Sequence, residues 1–470
     1  MASSGVKGTV TPGRRLVVVS NRLPSVAGTV GTAGGLSSSV QAALKENGGT
    51  WFGWSGLVVD EPDSVPNITR AGSVVYAALG LTREELERYY NGYANRVLWP
   101  LFHFRLDLLE FSREDLDGYL RVNRKFADAV APSLGATDLV WVQDYHLIPL
   151  GQELRNAGVS HPIGFFLHTP FPPPELLRVL PNHQELMRAM CAYDLVGFQT
   201  AADLQNFTDY VLRELHGEES TDGRIHIFDR TIEARVFPIG IDVDGIAKVA
   251  AASERSVSTR RLLESLDPRR LIIGVDRLDY SKGLLARFEA FEKLIETYPE
   301  TRGKVTFLQI APPSRTDVPE YMAIRRSLEA AAGHINGRFS EFDWTPLRYL
   351  NKSFNLRTLA GFYRQSRIGL VTPLRDGMNL VAKEYVASQD GENPGVLVLS
   401  CLAGAASELD LALKVNPFDT TGIAEAMHRA LDMPLGERQE RWREMMTALR
   451  RNDLTAWRRN FLERLSAVPE

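Results

Sequence analysis

Thr372-Pro-Leu-Arg-Asp-Gly-Met-Asn-Leu-Val-Ala-Lys-Glu384 reads as the end of a strand, a glycine-containing turn and the start of a helix that carries a carboxylate. The apolar run Ile368-Gly-Leu-Val-Thr372 leads into it, and 378–389 contains neither Gly nor Pro, so the pattern predicts a helix over that range. A helix start exposes unpaired backbone N–H groups and a partial positive charge, which suits an anionic ligand such as a phosphate. Upstream, Gly274-Val-Asp-Arg-Leu-Asp-Tyr-Ser-Lys-Gly283 repeats the arrangement with two cations, Arg277 and Lys282, placed to neutralise a diphosphate.

Outward from these segments the chain alternates between short buried-strand runs and helical patterns. Leu16 to Ser20 is followed by a loop with Gly28, Gly31, Gly34 and Gly35 and then by a helical stretch from Ser37 to Lys45. Further strands are expected at Leu139–Val142, Ile163–Leu167, Leu195–Phe198 and Ala234–Phe237. The rhythm restarts at Leu271–Val275 and continues at Val305–Ile310, Ile368–Thr372, Val396–Leu399 and Leu413–Val415. Such alternation specifies doubly wound α/β sheets of parallel strands covered on both faces. Between the two series, Asp242 to Arg270 carries no strand signal and is expected to hold a helix and an interdomain connection. The expected organisation is a flexible tail over 1–14, a first Rossmann-like domain over 15–241, a second over 242–452 and a helix within 453–470.

A length of 470 residues exceeds what one core supports, in line with two domains. Hydrophobic residues at 44%, charged residues at 24% and a net charge of -4 describe a soluble globular enzyme and leave no basic footprint for nucleic acid. The longest nearly apolar run, Gly395 to Ala406, is too short for a membrane span, and the Gly/Ser/Thr-rich first residues lack the apolar centre of a secretory signal. With only Cys191 and Cys401, both expected as buried thiols, a disulfide framework and a Cys-based zinc site have no support, and a reducing cytoplasm fits best.

Taken in order, Val19-Ser-Asn-Arg22, Ala33-Gly-Gly-Leu36, Trp51-Phe-Gly-Trp-Ser-Gly56, Trp141-Val-Gln-Asp-Tyr-His146, Phe165-Phe-Leu-His-Thr-Pro-Phe-Pro172, Arg277 to Gly283 and Leu374 to Glu384 carry a resemblance to the trehalose-6-phosphate synthase family. It runs from about Arg15 to about Leu462. The resemblance implies two facing Rossmann-like domains with the active site in the interdomain cleft, and a last helix that crosses back onto the first domain. It also implies retaining transfer of glucose from UDP-glucose or GDP-glucose to glucose 6-phosphate, without metal or cofactor.

Residue by residue, the resemblance makes Arg277, Lys282, Asp376 and His168 the catalytic candidates. Arg277 and Lys282 would hold the diphosphate, Asp376 the glucose hydroxyls, Glu384 the ribose, and His168 the donor glucose. Gly34, Gly35, Phe354, Gly377, Met378, Asn379, Leu380 and Val381 complete the donor set. Arg22, Tyr90 and Arg315 match phosphate-binding positions for the acceptor, with Trp99 near them and Asp144 for its hydroxyls. Read alone, Tyr90 lies in a Tyr-Tyr-Asn turn, and Asp376 is equally an N-cap.

Asp115-Leu-Asp117 and Asp242-Val-Asp244 match an Asp-x-Asp metal pattern, but such triplets arise often by chance and neither adjoins a named site. Asp343, in the expected base loop Glu341 to Phe354, stands where many relatives have Gly; a carboxylate accepts from guanine N1–H and N2–H₂, so Asp343 points to GDP-glucose while backbone groups alone suit uracil. Two other readings stay open: coupling of a nucleotide-activated cyclitol to an amino-cyclitol phosphate, and a non-catalytic regulatory subunit. Self-association is left open as well.

Overall fold

The structure, a computed structural model, describes residues 14–24, 35–62, 64–313 and 319–468. The described residues form two compact units, the first from residues before 240 together with those from 455 onward and the second within 240–454. Of the tail expected over 1–14 only Arg14 is described, and its guanidinium donates to the Ser466 carbonyl at 3.3 Å.

The first unit is built on strands β1 (Leu16–Arg22), β2 (Gly49–Val59), β3 (Asn67–Ala71), β4 (Val74–Thr82), β5 (Leu139–Gln143), β6 (Ile163–Phe166), β7 (Leu195–Phe198), β8 (Glu218–Glu219), β9 (Arg224–Ile227) and β10 (Arg230–Val236). Their order is β3-β4-β2-β1-β5-β6-β7-β10-β9-β8. From β4 to β10 every pairing is parallel, while β3 against β4, and β9 against β10 and β8, are antiparallel. The parallel expectation therefore holds for the interior, and hairpins finish both edges. β1, β5, β6 and β7 are apolar runs because helices bury both of their faces. β2 escapes that pattern: Gly-Thr-Trp-Phe-Gly-Trp-Ser-Gly is poor in β-branched residues, and its tryptophans supply the burial instead.

Leu454–Ser466 is a helix whose Trp457 and Phe461 lie 5.1 and 4.8 Å from the Trp141 ring in the middle of this sheet. Gly164 allows that approach, since a Cβ there would stand 2.8 Å from the Phe461 ring.

The second unit carries β11 (Arg270–Val275), β12 (Val305–Ile310), β13 (Leu347–Leu350), β14 (Ile368–Val371), β15 (Val396–Ser400) and β16 (Leu413–Val415), all parallel, in the order β13-β12-β11-β14-β15-β16. Phe288 and Phe291 from the helix Leu284–Thr297 pack on Phe307 of β12, and with Ile272 and Leu370 they form the centre of its core. The stretch expected as a connection forms two helices, Val243–Ser253 and Val257–Leu266.

Cys191 is buried, but Cys401 is exposed, against expectation, because it follows the last residue of β15 at the sheet's rim. No described helix is long and apolar enough to cross a membrane.

Candidate active site

In an open parallel sheet the strand ends where helices begin gather ligands, because the chain turns there and exposes backbone N–H groups. In the second unit those carboxyl ends are Val275, Ile310, Leu350, Val371, Ser400 and Val415. Arg277 lies exposed just beyond Val275. Lys282 ends a short 3-10 turn, Tyr280–Lys282, and is buried. Gly283 then takes φ 64°, where a Cβ would come within 2.5 Å of the Thr372 carbonyl, so glycine alone lets the loop lie against β14.

The turn after β14 differs from expectation in one respect. The helix begins at Leu380, not Met378, and runs to Ser388. Asn379 occupies the left-handed region at φ 75°, ψ 86°, and its side chain accepts from the Ala382 N–H at 3.1 Å, so Asn379 rather than Asp376 is the N-cap. Met378 and Gly377 are buried in the turn, pinned where the Met378 carbonyl accepts from Ala405 N–H at 2.7 Å. Leu380 and Val381 open the helix, and their N–H groups have no partner within it.

Asp376 sits at the centre of this group. Its Oδ2 lies 2.6 Å from Lys282 Nζ and accepts from Asn379 Nδ2 at 3.0 Å. Behind it, the fully buried Arg287 pairs with Asp276 at 2.9 Å and donates to Gln309, Thr372 and the Lys282 carbonyl. Neither Asp276 nor Arg287 was visible as a site residue in the sequence, where a helical Arg reads as a surface charge. Phe354, half-buried beyond the end of β13, lies 5.9 Å from Phe362.

Glu384 has a carboxylate with no hydrogen-bond or ion-pair partner among the described residues, and burial pushes it up to about 7. A raised folded value means that its contribution to stability is fully present below the ordinary 4.5 and is lost as pH rises through 7. Glu384→Gln is therefore expected to stabilise the protein by on the order of 2 kcal/mol at about pH 8 and by nothing at about pH 4. Urea unfolding at the two pH values measures this; equal gains at both would contradict it.

Asp343 does not join this group. It precedes β13, is exposed, and pairs with Arg269 at 2.9 Å, immediately before β11. Both residues stand at the amino-terminal rim of the sheet, as does Trp344, whose Nε1 donates to the carbonyl of Val305 at the start of β12. A strand of β11's length separates them from Arg277 and Lys282 by roughly 15–20 Å. Recognition of a donor base by Asp343 is corrected on that ground.

The first unit brings two of the expected acceptor residues, Arg22 and Asp144, to the carboxyl ends of β1 and β5, and the donor candidate His168 to the end of β6. Arg22 ends β1, exposed, with its guanidinium 5.2 Å from the Trp54 ring and no carboxylate partner among the described residues. Tyr90 is in no turn: it belongs to a π-helix, Leu86–Leu98, whose register turns Tyr89 and Tyr93 inward against Tyr119 and Tyr90 outward against Trp54 and His146. Such wide helices are rare and recur at functional sites. Trp99 is buried between His103 and Tyr145.

Asp144 follows β5 at φ 72°, ψ 167°, a region that is essentially reserved for glycine, so this backbone is strained. Its Oδ1 accepts the His168 N–H at 3.2 Å. His168 follows β6, and its Nε2 lies 3.0 Å from Oε1 of the buried Gln143, a partner that sequence reading missed. Burial pushes the imidazole down to about 3, so the ring is neutral at physiological pH.

Gly35 opens the helix Gly35–Asn47; Gly34 and Arg315 lie outside the described residues. No group of three His, Cys, Asp or Glu among the described residues is arranged to hold a metal ion. Asp115 is bound to Arg88 at 3.1 Å, and Asp242 caps the helix Val243–Ser253, which accounts for one aspartate in each triplet.

Two doubly wound units, one with buried cations and carboxylates at its strand ends and the other with an arginine and aromatic rings, define a glycosyltransferase. The sequence model of Glycosyltransferase family 20 matches residues 14–467, and the chain belongs to that family, with trehalose-6-phosphate synthases as its relatives. It is 50% identical over 456 residues to the trehalose-6-phosphate synthase of Sinorhizobium fredii, covering 96% of this chain and 98% of that one. A crystal structure of the UDP-forming α,α-trehalose-phosphate synthase of Burkholderia xenovorans in complex with glucose-6-phosphate is 52% identical, with a TM-score of 0.92 over 96% of this chain and 100% of that one. The E. coli protein bound with UDP-2-fluoro glucose is 46% identical, with a TM-score of 0.92 over 97% of this chain and 99% of that one.

Proposed function

We propose that the protein transfers glucose from UDP-glucose to the anomeric hydroxyl of glucose 6-phosphate, forming α,α-1,1-linked trehalose 6-phosphate and UDP. The observation that carries this reading is the Lys282, Asp376, Asn379 and Glu384 group at one rim of the second sheet. It offers a cation for a diphosphate, a carboxylate for sugar hydroxyls and a carboxylate, without a partner among the described residues, for a ribose. The ligands named for the Burkholderia xenovorans and E. coli structures support the same pair of substrates.

In this reading the second unit takes the donor. Lys282 and Arg277 stabilise the charge that develops on the diphosphate as the bond from glucose C1 to the phosphate oxygen breaks. The first unit takes the acceptor, with Arg22 and Tyr90 at its phosphate and Asp144 at its hydroxyls. The acceptor oxygen bonds to C1 on the face that the phosphate leaves, which retains configuration, and the departing phosphate oxygen accepts the hydroxyl proton. Remote phosphate binding supplies orientation to the reacting sugar.

Uridine is preferred over guanosine here because Asp343 is held by Arg269 at the opposite rim, which leaves the base to Phe354 and backbone groups. The test is nucleotide release from UDP-glucose and GDP-glucose, with and without glucose 6-phosphate, and the product identified by mass. Release that requires the acceptor, faster with UDP-glucose, is expected. Asp343→Gly should leave the ratio of the two donors within about twofold. A tenfold loss of GDP-glucose use in that variant would return Asp343 to the base site, and absence of turnover with either donor would overturn the transferase substrates named.

A further inference from the structure

We propose that the amino-terminal rim of the second sheet binds a phosphate dianion, free or as the end group of a small phosphorylated metabolite, between the guanidinium groups of Arg270, Arg367 and Arg438. This rim is the one opposite Lys282 and Asp376, so an anion held there is not the diphosphate of a donor.

Three adjacent strands bring the arginines together. Arg270 opens β11, Arg367 directly precedes β14, and Pro394-Gly395 directly precede β15. These starts are stitched side by side: the Arg367 N–H donates to the Leu271 carbonyl at 2.8 Å, and the Arg367 carbonyl accepts from the Val396 N–H at 2.8 Å. Three neighbouring strands span only about 10 Å. Arg438 joins from the first turn of the helix Leu435–Arg451, where its Nη1 donates to Asn393 Oδ1 at 2.9 Å and to the Pro394 carbonyl.

The three groups keep donors to spare and have no counter-ion. Arg270 Nη1 donates to the Leu431 carbonyl at 2.7 Å, and its other side-chain nitrogens donate to nothing among the described residues. Arg438 is 6% exposed, yet its Nε has no acceptor among the described residues. Arg367 is half-buried, and its side chain has neither a hydrogen bond nor an ion pair among the described residues. Burial, with Arg438 and Arg270 close by, pushes the Arg367 guanidinium down to about 10. Acids near in sequence are engaged elsewhere: Glu437 with Arg441 and Arg429, Asp432 with His428, and Asp390 with Arg364. Tyr385, fully buried beside the group, stays neutral because burial holds its phenol far above the ordinary value.

Holding like charges together, partly withdrawn from water, is unfavourable unless something of opposite charge joins them. A single carboxylate would neutralise one cation of the three. A phosphate dianion neutralises two and carries at least three acceptor oxygens, to which the planar fork of arginine is matched.

Calorimetric titration of inorganic phosphate into the full chain tests this. The parent is the Arg22→Gln, Lys282→Gln protein, in which the phosphate positions of the proposed reaction are weakened, and it is compared with the same protein carrying Arg367→Gln or Arg270→Gln at constant ionic strength. The parent is expected to bind phosphate saturably, and each added substitution to weaken that binding about tenfold. Glycerol 3-phosphate titrated in parallel separates the sources: binding at least as tight as that of phosphate assigns the end group of a metabolite, and weaker binding assigns the free ion. Equal phosphate affinity in the parent and in both added variants overturns the proposal. A parent that binds no phosphate overturns it as well, and phosphate then belongs to the reaction site alone. Arg270 is exposed, so Arg270→Gln carries the test if Arg367→Gln does not fold.

Discussion

Lys282→Gln should lower kcat/KM for glucosyl transfer by about a hundred- to a thousandfold, with most of the loss in kcat and little in the KM for glucose 6-phosphate. Lys282 is mostly withdrawn from solvent, so on the proposed reading its charge meets a departing diphosphate through a medium of low polarity, where it is worth more than in water. The backbone that carries the ammonium is fixed at Gly283 and at the Arg287 contact, so only the side chain has to turn from Asp376 towards the phosphate. Arg277 cannot substitute, since it stands exposed beyond β11 where water screens it. Steady-state rates with saturating acceptor measure the effect. A loss confined to donor KM would mean that Lys282 binds substrate and transition state equally.

The largest effect on stability is expected at Arg287. Arg287→Met removes a guanidinium that is fully buried and bonded to Asp276, Gln309, Thr372 and the Lys282 carbonyl, and leaves the Asp276 carboxylate behind in the same place. Breaking one side of such a pair costs about 3–5 kcal/mol, because the charge left in the interior loses its counter-ion and keeps a long 3.5 Å bond from Asn379 Nδ2. Combining it with Asp276→Asn should recover a large part of that cost, since the amide removes the orphaned charge. Urea unfolding of the single and double variants measures the difference. A double variant as unstable as Arg287→Met would place the loss in the bonds to Gln309 and Thr372 instead of in the charge.

What could be read in the sequence follows from what local patterning encodes. β5, β6, β7, β11, β12, β14 and β15 are largely apolar runs because helices cover both of their faces, and such runs are legible without any knowledge of neighbours. β2 and β4 occupy interior positions in the first sheet, yet glycines interrupt both, so their strand character depends on pairing. The π-helix was illegible for a related reason: Leu86–Leu98 has ordinary helical composition, and the wide register follows from packing Tyr89 and Tyr93 on Tyr119.

The site shows the same division. Lys282, Asp376 and Glu384 were legible because they belong to short segments whose turn and helix carry them to one rim. Asp343 misled because residue type says nothing about which rim of a sheet a loop joins. That is decided by the direction of β13, a strand the sequence reading did not assign. The exposed thiol of Cys401 has the same cause, since the limit of β15 rather than its composition puts that residue at the surface.

The helix Leu454–Ser466 imposes an order on the birth of the molecule. Trp141 and Phe166, near the middle of the first unit, receive Trp457 and Phe461 as neighbours, and all of the second unit is encoded between the two sets. At the usual pace of synthesis roughly fifteen seconds to a minute passes before the later set is made. During that interval the nascent first unit presents an unfinished aromatic face, while the second unit emerges with every strand of its own sheet in uninterrupted succession. The half of the protein that is translated first is thus the half that matures last, and the stretch of time in which it needs shelter is written into the position of a single helix.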